Sequence, residues 1–225
     1  MRGPLGFLLA VVLLSWPLMF YGPGVLGAWG ANAAAMVAAG AAAWLHARLA
    51  GRRLVAWSMG RGAALLAASL LPVAAYAPLL ARGASPAAAV AVQLVLNLAP
   101  SWAEEVAWRS YFYGTLLAGG EGRRLLVHGL AWYLWHAPAV ARAAGYLGLA
   151  AGLPLGLMQA SVYSLLYRWG GVAAATMYHA LHDTLRDAAM TSSAAPEALA
   201  ATPILVVSAA GLASTAALLR RRVEG

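Results

Sequence analysis

The stretch SWAEEVAWRS, residues 101–110, places two adjacent carboxylates and an arginine near the end of a long apolar run. The whole chain of 225 residues is 63% hydrophobic and only 10% charged, and its mean hydropathy is +0.73. This composition predicts an integral membrane protein rather than a soluble domain. The three charges therefore stand where a charged side chain is most costly.

Apolar runs recur along the chain, and most are near the roughly 20 residues that a membrane-spanning helix needs. They cover residues 5–21, 25–46, 63–81, 87–118, 125–141, 146–167, 171–190 and 203–219. The pattern predicts an all-α, polytopic bundle of about eight transmembrane helices, with residues 1–225 forming a single transmembrane domain. The fourth run is too long for one straight span, so we expect a kink at Pro100. The first run lacks a small-residue cleavage site, so we expect it to remain as a helix.

The 15 basic residues are all arginines, a usage typical of a GC-rich bacterial genome. On an eight-helix topology most of them fall on the side of the termini, and only Arg82 and Arg142 fall in loops on the other. The positive-inside rule then predicts cytoplasmic N- and C-termini and a multi-pass protein of the bacterial inner membrane. Because the arginines lie in short turns without motif context, we expect no nucleic-acid partner. The chain has no cysteine, which excludes disulfides and thiol nucleophiles.

Ionisable residues inside the apolar runs point to a functional site, because a charge at the centre of a membrane helix costs about 2.5–3.5 kcal/mol. Four of the seven acids lie there, namely Glu104, Glu105, Asp183 and Asp187. They are accompanied by Arg109, His136, His179, His182 and Arg186. We expect the other two histidines, His46 and His128, at the membrane interface because they stand nearer the ends of their runs.

Helical spacing assigns these groups to faces. Glu105 and Arg109 are four residues apart and should stack as an ion pair, whereas Glu104 is rotated by about 100° and points elsewhere. His179 and Asp183 are also four residues apart and share a face, with His182 nearer the neighbouring face. The two glutamates are therefore predicted to have different roles.

These residue types suit amide hydrolysis. A glutamate can take a proton from water as general base, and imidazole N–H groups can stabilise the charge that develops on the carbonyl oxygen. Glu104 is the candidate base, with His136 as its partner in positioning or protonation. His179 and Asp183 would serve the oxyanion or the leaving group.

Two other interpretations use the same residues. His136 and His179 could ligate Zn²⁺ together with Glu104, and nothing in the spacing separates this alternative from a metal-free base. The chain could instead be a non-catalytic membrane protein, an immunity factor or a proton-coupled transporter, with the buried charges as a relay. A transporter would typically show inverted repeats, and the sequence shows no internal repeat.

Three motifs in order resemble those of the CPBP family of CAAX proteases and bacteriocin-processing enzymes, which includes the type II CAAX prenyl endopeptidases. They are Glu-Glu-x-x-x-Arg, aromatic-x-x-x-His and His-x-x-x-Asp, carried here by Glu104, Glu105, Arg109, Trp132, His136, His179 and Asp183. The second motif usually begins with Phe or Tyr rather than tryptophan, and Ser110 stands where a glycine commonly follows the arginine.

The resemblance implies an intramembrane endopeptidase with its catalytic core in residues 87–190. Its first glutamate would activate water, its second would pair with the arginine, and the histidines of the motifs and Asp183 would complete the site. We expect Trp132 and, from its position beside Asp183, His182 to support the site. Family members have been described both as metalloproteases and as glutamate-type proteases without an obligatory metal. The expected partners are the lipid bilayer and a membrane-anchored protein or peptide substrate.

Overall fold

The computed structural model describes residues 3–80, 87–116, 120–192, 206 and 209–216. All regular structure within these residues is helical, as predicted. The helices are α1 Pro4–Tyr21, α2 Pro23–Leu49, α3 Gly62–Leu80, α4 Ala87–Glu105, a π-helical segment Val106–Tyr113, α5 Gly120–Trp135 and α6 Ala137–Ser192. Of the last predicted run, 203–219, residues 203–205, 207–208 and 217–219 lie outside the described residues.

Three of the described helices are long and apolar enough to cross a membrane, namely Pro4–Tyr21, Pro23–Leu49 and Ala137–Ala189. A shorter apolar helix covers Gly62–Ala77. These helices mark the chain as a membrane-associated protein. The count of eight spans and the cytoplasmic orientation of the termini stay predictions.

The long helix α6 is divided at Gly145 and Gly171, whose φ angles of 68° and 72° lie in the left-handed region. Glycine adopts this conformation without the steric cost that a Cβ atom would bring. The breaks separate a first stretch, residues 137–144, a middle stretch, residues 146–170, and a last stretch, residues 172–192. The middle and last stretches correspond closely to two of the predicted runs.

The kink expected at Pro100 stays a prediction, and a different irregularity follows the proline. Helix α4 continues through this proline to Glu105, and the helical geometry changes at Val106, where the π-helix begins. π-helical turns are rare and frequently occur at functional sites. Here the wider turn directly follows the two adjacent glutamates.

The first apolar run is an integral part of the bundle. Phe7 and Val11 of α1 are fully buried, and the Phe7 ring stacks on Phe112 at a centroid distance of 5.5 Å. The Trp16 indole N–H donates a hydrogen bond to the Trp135 carbonyl oxygen at 3.2 Å. Helix α1 thereby packs against both the π-helix and the end of α5.

A non-helical segment, residues 52–61, follows α2 in the chain and is hydrogen-bonded both to the region around the two glutamates and to the break in α6. Ser58 accepts hydrogen bonds from the backbone N–H groups of Val172 and Ala173, at 3.0 and 3.1 Å. On its other side the segment accepts hydrogen bonds from Trp102 and Ser110, through the carbonyl oxygens of Ala56 and Val55. The start of the last stretch is thus tied to the region around the two glutamates.

The side chains of His46 and His128, expected at the membrane interface, are buried inside the bundle, and their depth in the membrane stays a prediction. His46 is hydrogen-bonded to the Tyr111 hydroxyl group. His128 packs edge-on against Tyr113, with ring centroids 5.3 Å apart. Aromatic residues of the π-helix cover both imidazoles. The position of a histidine along an apolar run does not predict such a contact between helices.

Candidate active site

The structure brings the residues of the three sequence motifs into one site. Glu104 and Glu105 close α4, and Arg109 follows in the π-helix. Trp132 lies in the last turn of α5, and His136 occupies the turn between α5 and α6. His179 and Asp183 lie one turn apart on the last stretch of α6.

Glu104 is completely buried, and its two carboxylate oxygens have different surroundings. Oε1 accepts a hydrogen bond from the Trp132 indole N–H at 2.7 Å, and His136 Nε2 lies 3.8 Å from the same oxygen. Oε2 lies 3.8 Å from His179 Nε2 and accepts no hydrogen bond from any described residue. A separation of 3.8 Å is too long for a direct hydrogen bond and suits a bridging water.

The tautomer of His136 follows from its backbone contact. Nδ1 lies 2.9 Å from the Trp132 carbonyl oxygen. Because a carbonyl oxygen only accepts, Nδ1 carries the proton, and in the neutral ring Nε2 presents its lone pair towards Glu104. The imidazole stands edge-on to the Trp132 and Trp135 rings, each with a centroid 4.5 Å away, and these rings limit its rotation.

His179 is held by Glu105, whose Oε1 accepts a hydrogen bond from Nδ1 at 2.8 Å. A carboxylate on Nδ1 orients the ring and leaves Nε2 to face the site. There, Nε2 lies between Glu104 Oε2 at 3.8 Å and Asp183 Oδ2 at 3.5 Å. Glu105 thus acts on the site through an imidazole of another helix.

The predicted Glu105–Arg109 ion pair is present, with Arg109 Nε 3.3 Å from Glu105 Oε2 and both side chains fully buried. The guanidinium also lies over two aromatic rings, 4.3 Å from the Tyr163 centroid and 4.8 Å from the Trp132 centroid. Cation–π contacts of this kind stabilise a desolvated arginine. Arg109 therefore links the carboxylate that orients His179 to the tryptophan that binds Glu104.

Asp183 is shared between the site and a second ion pair. One oxygen faces His179, and the other lies 2.9 Å from Arg186 Nη1. Asp187 binds the same guanidinium, with its Oδ1 2.8 Å from Nη2. The His182 ring packs on Tyr178 and Tyr76, on the neighbouring helical face.

The comparison with protein families adds to this geometry. Residues 86–185 match the model of the Rce1-like family, described as type II CAAX prenyl endopeptidase Rce1-like. This part of the chain resembles an Rce1-like domain. The match contains all three motifs, from Glu104 to Asp183, and confirms the resemblance to the CPBP and CAAX protease family. No curated protein matches the chain.

The match supports a CAAX-type protease at the level of the family. It supports peptidase activity in general and implies a peptide or protein substrate in a membrane context. The match does not identify the substrate or the chemical role of each residue.

Some of the side chains that could ligate a metal ion in the candidate site already contact other residues. Among the described residues, the group whose ligand atoms all lie within 4.8 Å of one another is Glu104, Glu105 and His179. His136, named with zinc in the sequence analysis, is not part of it. Both Glu105 oxygens already face His179 and Arg109. A catalytic zinc takes three protein ligands, so this set fits only if the Glu105 contacts open.

One aromatic residue of the site and one buried amide in α4 were not predicted from the sequence. Tyr163 lies between Arg109 and His179, with its ring centroid 5.1 Å from the imidazole. Asn97 is buried in α4, where it accepts a hydrogen bond from Trp29 at 2.9 Å and donates one to Thr184 at 2.9 Å. An amide within the apolar run 87–118 was the available signal for Asn97. Nothing distinguishes Tyr163 from the other tyrosines of the chain.

Proposed function

We propose that this Rce1-like protein is an intramembrane endopeptidase that hydrolyses a peptide bond of a membrane-associated protein or peptide through a water activated by Glu104. The main support is the arrangement around Glu104. One oxygen is bound by Trp132, and the other is buried, accepts no hydrogen bond from a described residue and lies 3.8 Å from His179 Nε2. A carboxylate of this kind has one oxygen fixed and one available to a water.

In the proposed reaction, a water between Glu104 Oε2 and His179 Nε2 gives one proton to Oε2, and its oxygen bonds to the scissile carbonyl carbon. The carbonyl oxygen becomes an oxyanion, which His179 stabilises as an imidazolium that donates through Nε2–H, because its Nδ1–H is already donated to Glu105. The C–N bond then breaks, and the leaving amine takes the proton from Glu104. The products are a new carboxyl terminus and a new amino terminus.

The supporting residues act by orientation. Glu105 fixes the His179 ring through Nδ1, and Arg109 holds Glu105 in place. His136 Nε2, 3.8 Å from Glu104 Oε1, is placed to assist in positioning or in proton transfer. Asp183, one turn after His179, is placed to orient the imidazole or to bind the leaving group.

Exposure indicates how a peptide would reach the base. The His136 side chain is 27% exposed and Asp183 is 18% exposed, whereas Glu104 is 1% exposed. The substrate would therefore enter past the two more exposed side chains and meet the base at the bottom of the site. We propose a membrane-anchored substrate in the bacterial inner membrane, within CAAX-like C-terminal processing, protein sorting, or bacteriocin processing and immunity.

A peptide-cleavage assay on purified protein in detergent tests the proposal. Lipid-modified and unmodified peptide pools are incubated with the wild type and with Glu104→Gln, and new termini are read by mass spectrometry. We expect cleavage by the wild type alone. Cleavage by Glu104→Gln at the wild-type rate would exclude Glu104 as the base. Absence of cleavage by the well-folded wild type would favour the non-catalytic alternative.

A further inference from the structure

The buried hydroxyl group of Ser101, in the same helix as Glu104, has not been given a role in the proposed reaction. Ser101 is 0% exposed, and its Oγ has no hydrogen-bond partner among the described residues. A buried polar atom without a partner costs roughly 1–3 kcal/mol, so native structures rarely leave one unbonded. The hydroxyl of Ser101 is therefore available to a group that is not part of the described chain.

Several helical hydroxyls of this protein bond to their own helix, whereas Ser15 and Thr176, like Ser101, are buried without a described hydrogen-bond partner. Ser161 and Ser164 donate to the carbonyl oxygens of Leu157 and Ala160, four residues earlier, at 3.1 and 2.8 Å. Such bonding to the preceding turn is common for serine within a helix. Ser101, although also in an α-helix and fully buried, makes no such bond with a described residue.

Helix geometry brings this hydroxyl close to the general base. Ser101 and Glu104 are three residues apart in α4 and share a face. Side chains of a helix tilt towards its N-terminus, so the carboxylate of Glu104 extends back over the turn that carries Ser101. Glu104 Oε2 is likewise a buried atom without a described hydrogen-bond partner. A water needs two to four polar partners, which Ser101 Oγ, Glu104 Oε2 and His179 Nε2 can together supply.

We propose that Ser101 is a water-positioning residue whose hydroxyl binds the water that Glu104 activates. The inference rests on the proposed function. In this arrangement the water donates one hydrogen to Glu104 Oε2 and the other to Ser101 Oγ, and its free lone pair is directed at the scissile carbonyl carbon. The proton taken from the water goes to Glu104, so the serine stays neutral throughout and forms no covalent intermediate.

The experiment compares the wild type with Ser101→Ala, Ser164→Ala and Glu104→Gln, all purified in the same detergent. Each protein is assayed on a peptide that the wild type cleaves, and kcat, KM and the melting temperature are measured. Ser164→Ala is the matched control, because it removes an equally buried hydroxyl that bonds its own helix. For Ser101→Ala we expect a roughly tenfold loss in kcat, a KM within about twofold of wild type, and no decrease in melting temperature.

Each remaining outcome overturns the inference. A wild-type kcat for Ser101→Ala together with an inactive Glu104→Gln would remove Ser101 from the reaction and leave the proposed function intact. A lower kcat accompanied by a lower melting temperature, or matched by Ser164→Ala, would assign the hydroxyl a structural role. Full activity of Glu104→Gln would refute the proposed function, and the inference about Ser101 with it.

Discussion

The indole N–H of Trp132 donates a hydrogen bond of 2.7 Å to Oε1 of Glu104, inside the bundle and across two helices. The family motif usually has phenylalanine or tyrosine at this position, and phenylalanine has no polar hydrogen to donate. The tryptophan therefore adds a donor that selects which oxygen of the carboxylate is bound. The other oxygen, Oε2, faces His179.

Replacing Trp132 with phenylalanine tests the value of this donor. The aromatic ring over Arg109 is retained, so the fold should persist, while the N–H that holds Glu104 is lost. A hydrogen bond to a charged group contributes about 1.5–3 kcal/mol, so we expect kcat to decrease about tenfold or more. Steady-state kinetics measure the effect, with Trp57→Phe, a change at a 59% exposed tryptophan, as control. A wild-type kcat for Trp132→Phe would show that the hydrogen bond is dispensable.

The buried pair of Glu105 and Arg109 should be sensitive to the loss of one partner. Arg109→Met removes the guanidinium partner of the buried Glu105 carboxylate and leaves it only the hydrogen bond from His179, and breaking a buried ion pair typically costs about 3–5 kcal/mol. The double variant Glu105→Gln, Arg109→Met removes both charges, and we expect it to recover most of this stability. Equilibrium unfolding in detergent measures the difference. If the single and double variants were equally stable, the pair would not be energetically coupled.

The buried amide of Asn97 should stabilise the bundle without taking part in the chemistry. Asn97→Leu keeps a similar side-chain volume but removes the amide N–H that donates to the Thr184 hydroxyl. Thr184 is 0% exposed, so its hydroxyl would lose this hydrogen bond inside the bundle. We expect a loss of about 1–3 kcal/mol in unfolding free energy and an unchanged kcat for the folded protein. Gln93→Leu is the matched control, because its amide contacts Asn97 only at 3.4 Å. A decrease in kcat at unchanged stability would instead place Asn97 in the reaction.

Removal of divalent metal should leave the activity intact. The reason is the engagement of Glu105, whose oxygens bind His179 and Arg109 and leave too few free donors for a catalytic zinc. The test is dialysis of the purified enzyme against a chelator, followed by a cleavage assay and elemental analysis. Loss of activity that returns on addition of zinc alone would establish the metal-dependent alternative.

The candidate site was largely predictable because charged and imidazole side chains are rare in this apolar chain. Glu104, His136 and His179 stand on three separate predicted helices, and a membrane protein has little reason to place them there except in a common site. The spacing of Glu105 and Arg109 correctly indicated their ion pair. Local periodicity is sufficient for such contacts because the partners lie about one turn apart on a continuous helical stretch of the chain.

Contacts between helices were not predictable in the same way. That Glu105 binds His179, while Glu104 binds Trp132, depends on the rotation and depth of each helix in the bundle. The π-helix from Val106 onward alters this rotation directly after the glutamates, and the sequence of the segment does not predict a π-helix. Burial of His128 has the same origin, since its neighbour Tyr113 belongs to the π-helix.

The most direct test of the account compares the terminal peptides of the membrane proteome between host cells that carry the wild type and cells that carry Glu104→Gln. This substitution keeps the shape of the side chain and removes the base. Glu224→Gln, the same change near the end of the chain, is the control. We predict that specific new termini disappear and longer precursors accumulate in Glu104→Gln cells alone. Unchanged termini in cells that express the folded variant at wild-type level would contradict the proposal that Glu104 activates water for proteolysis.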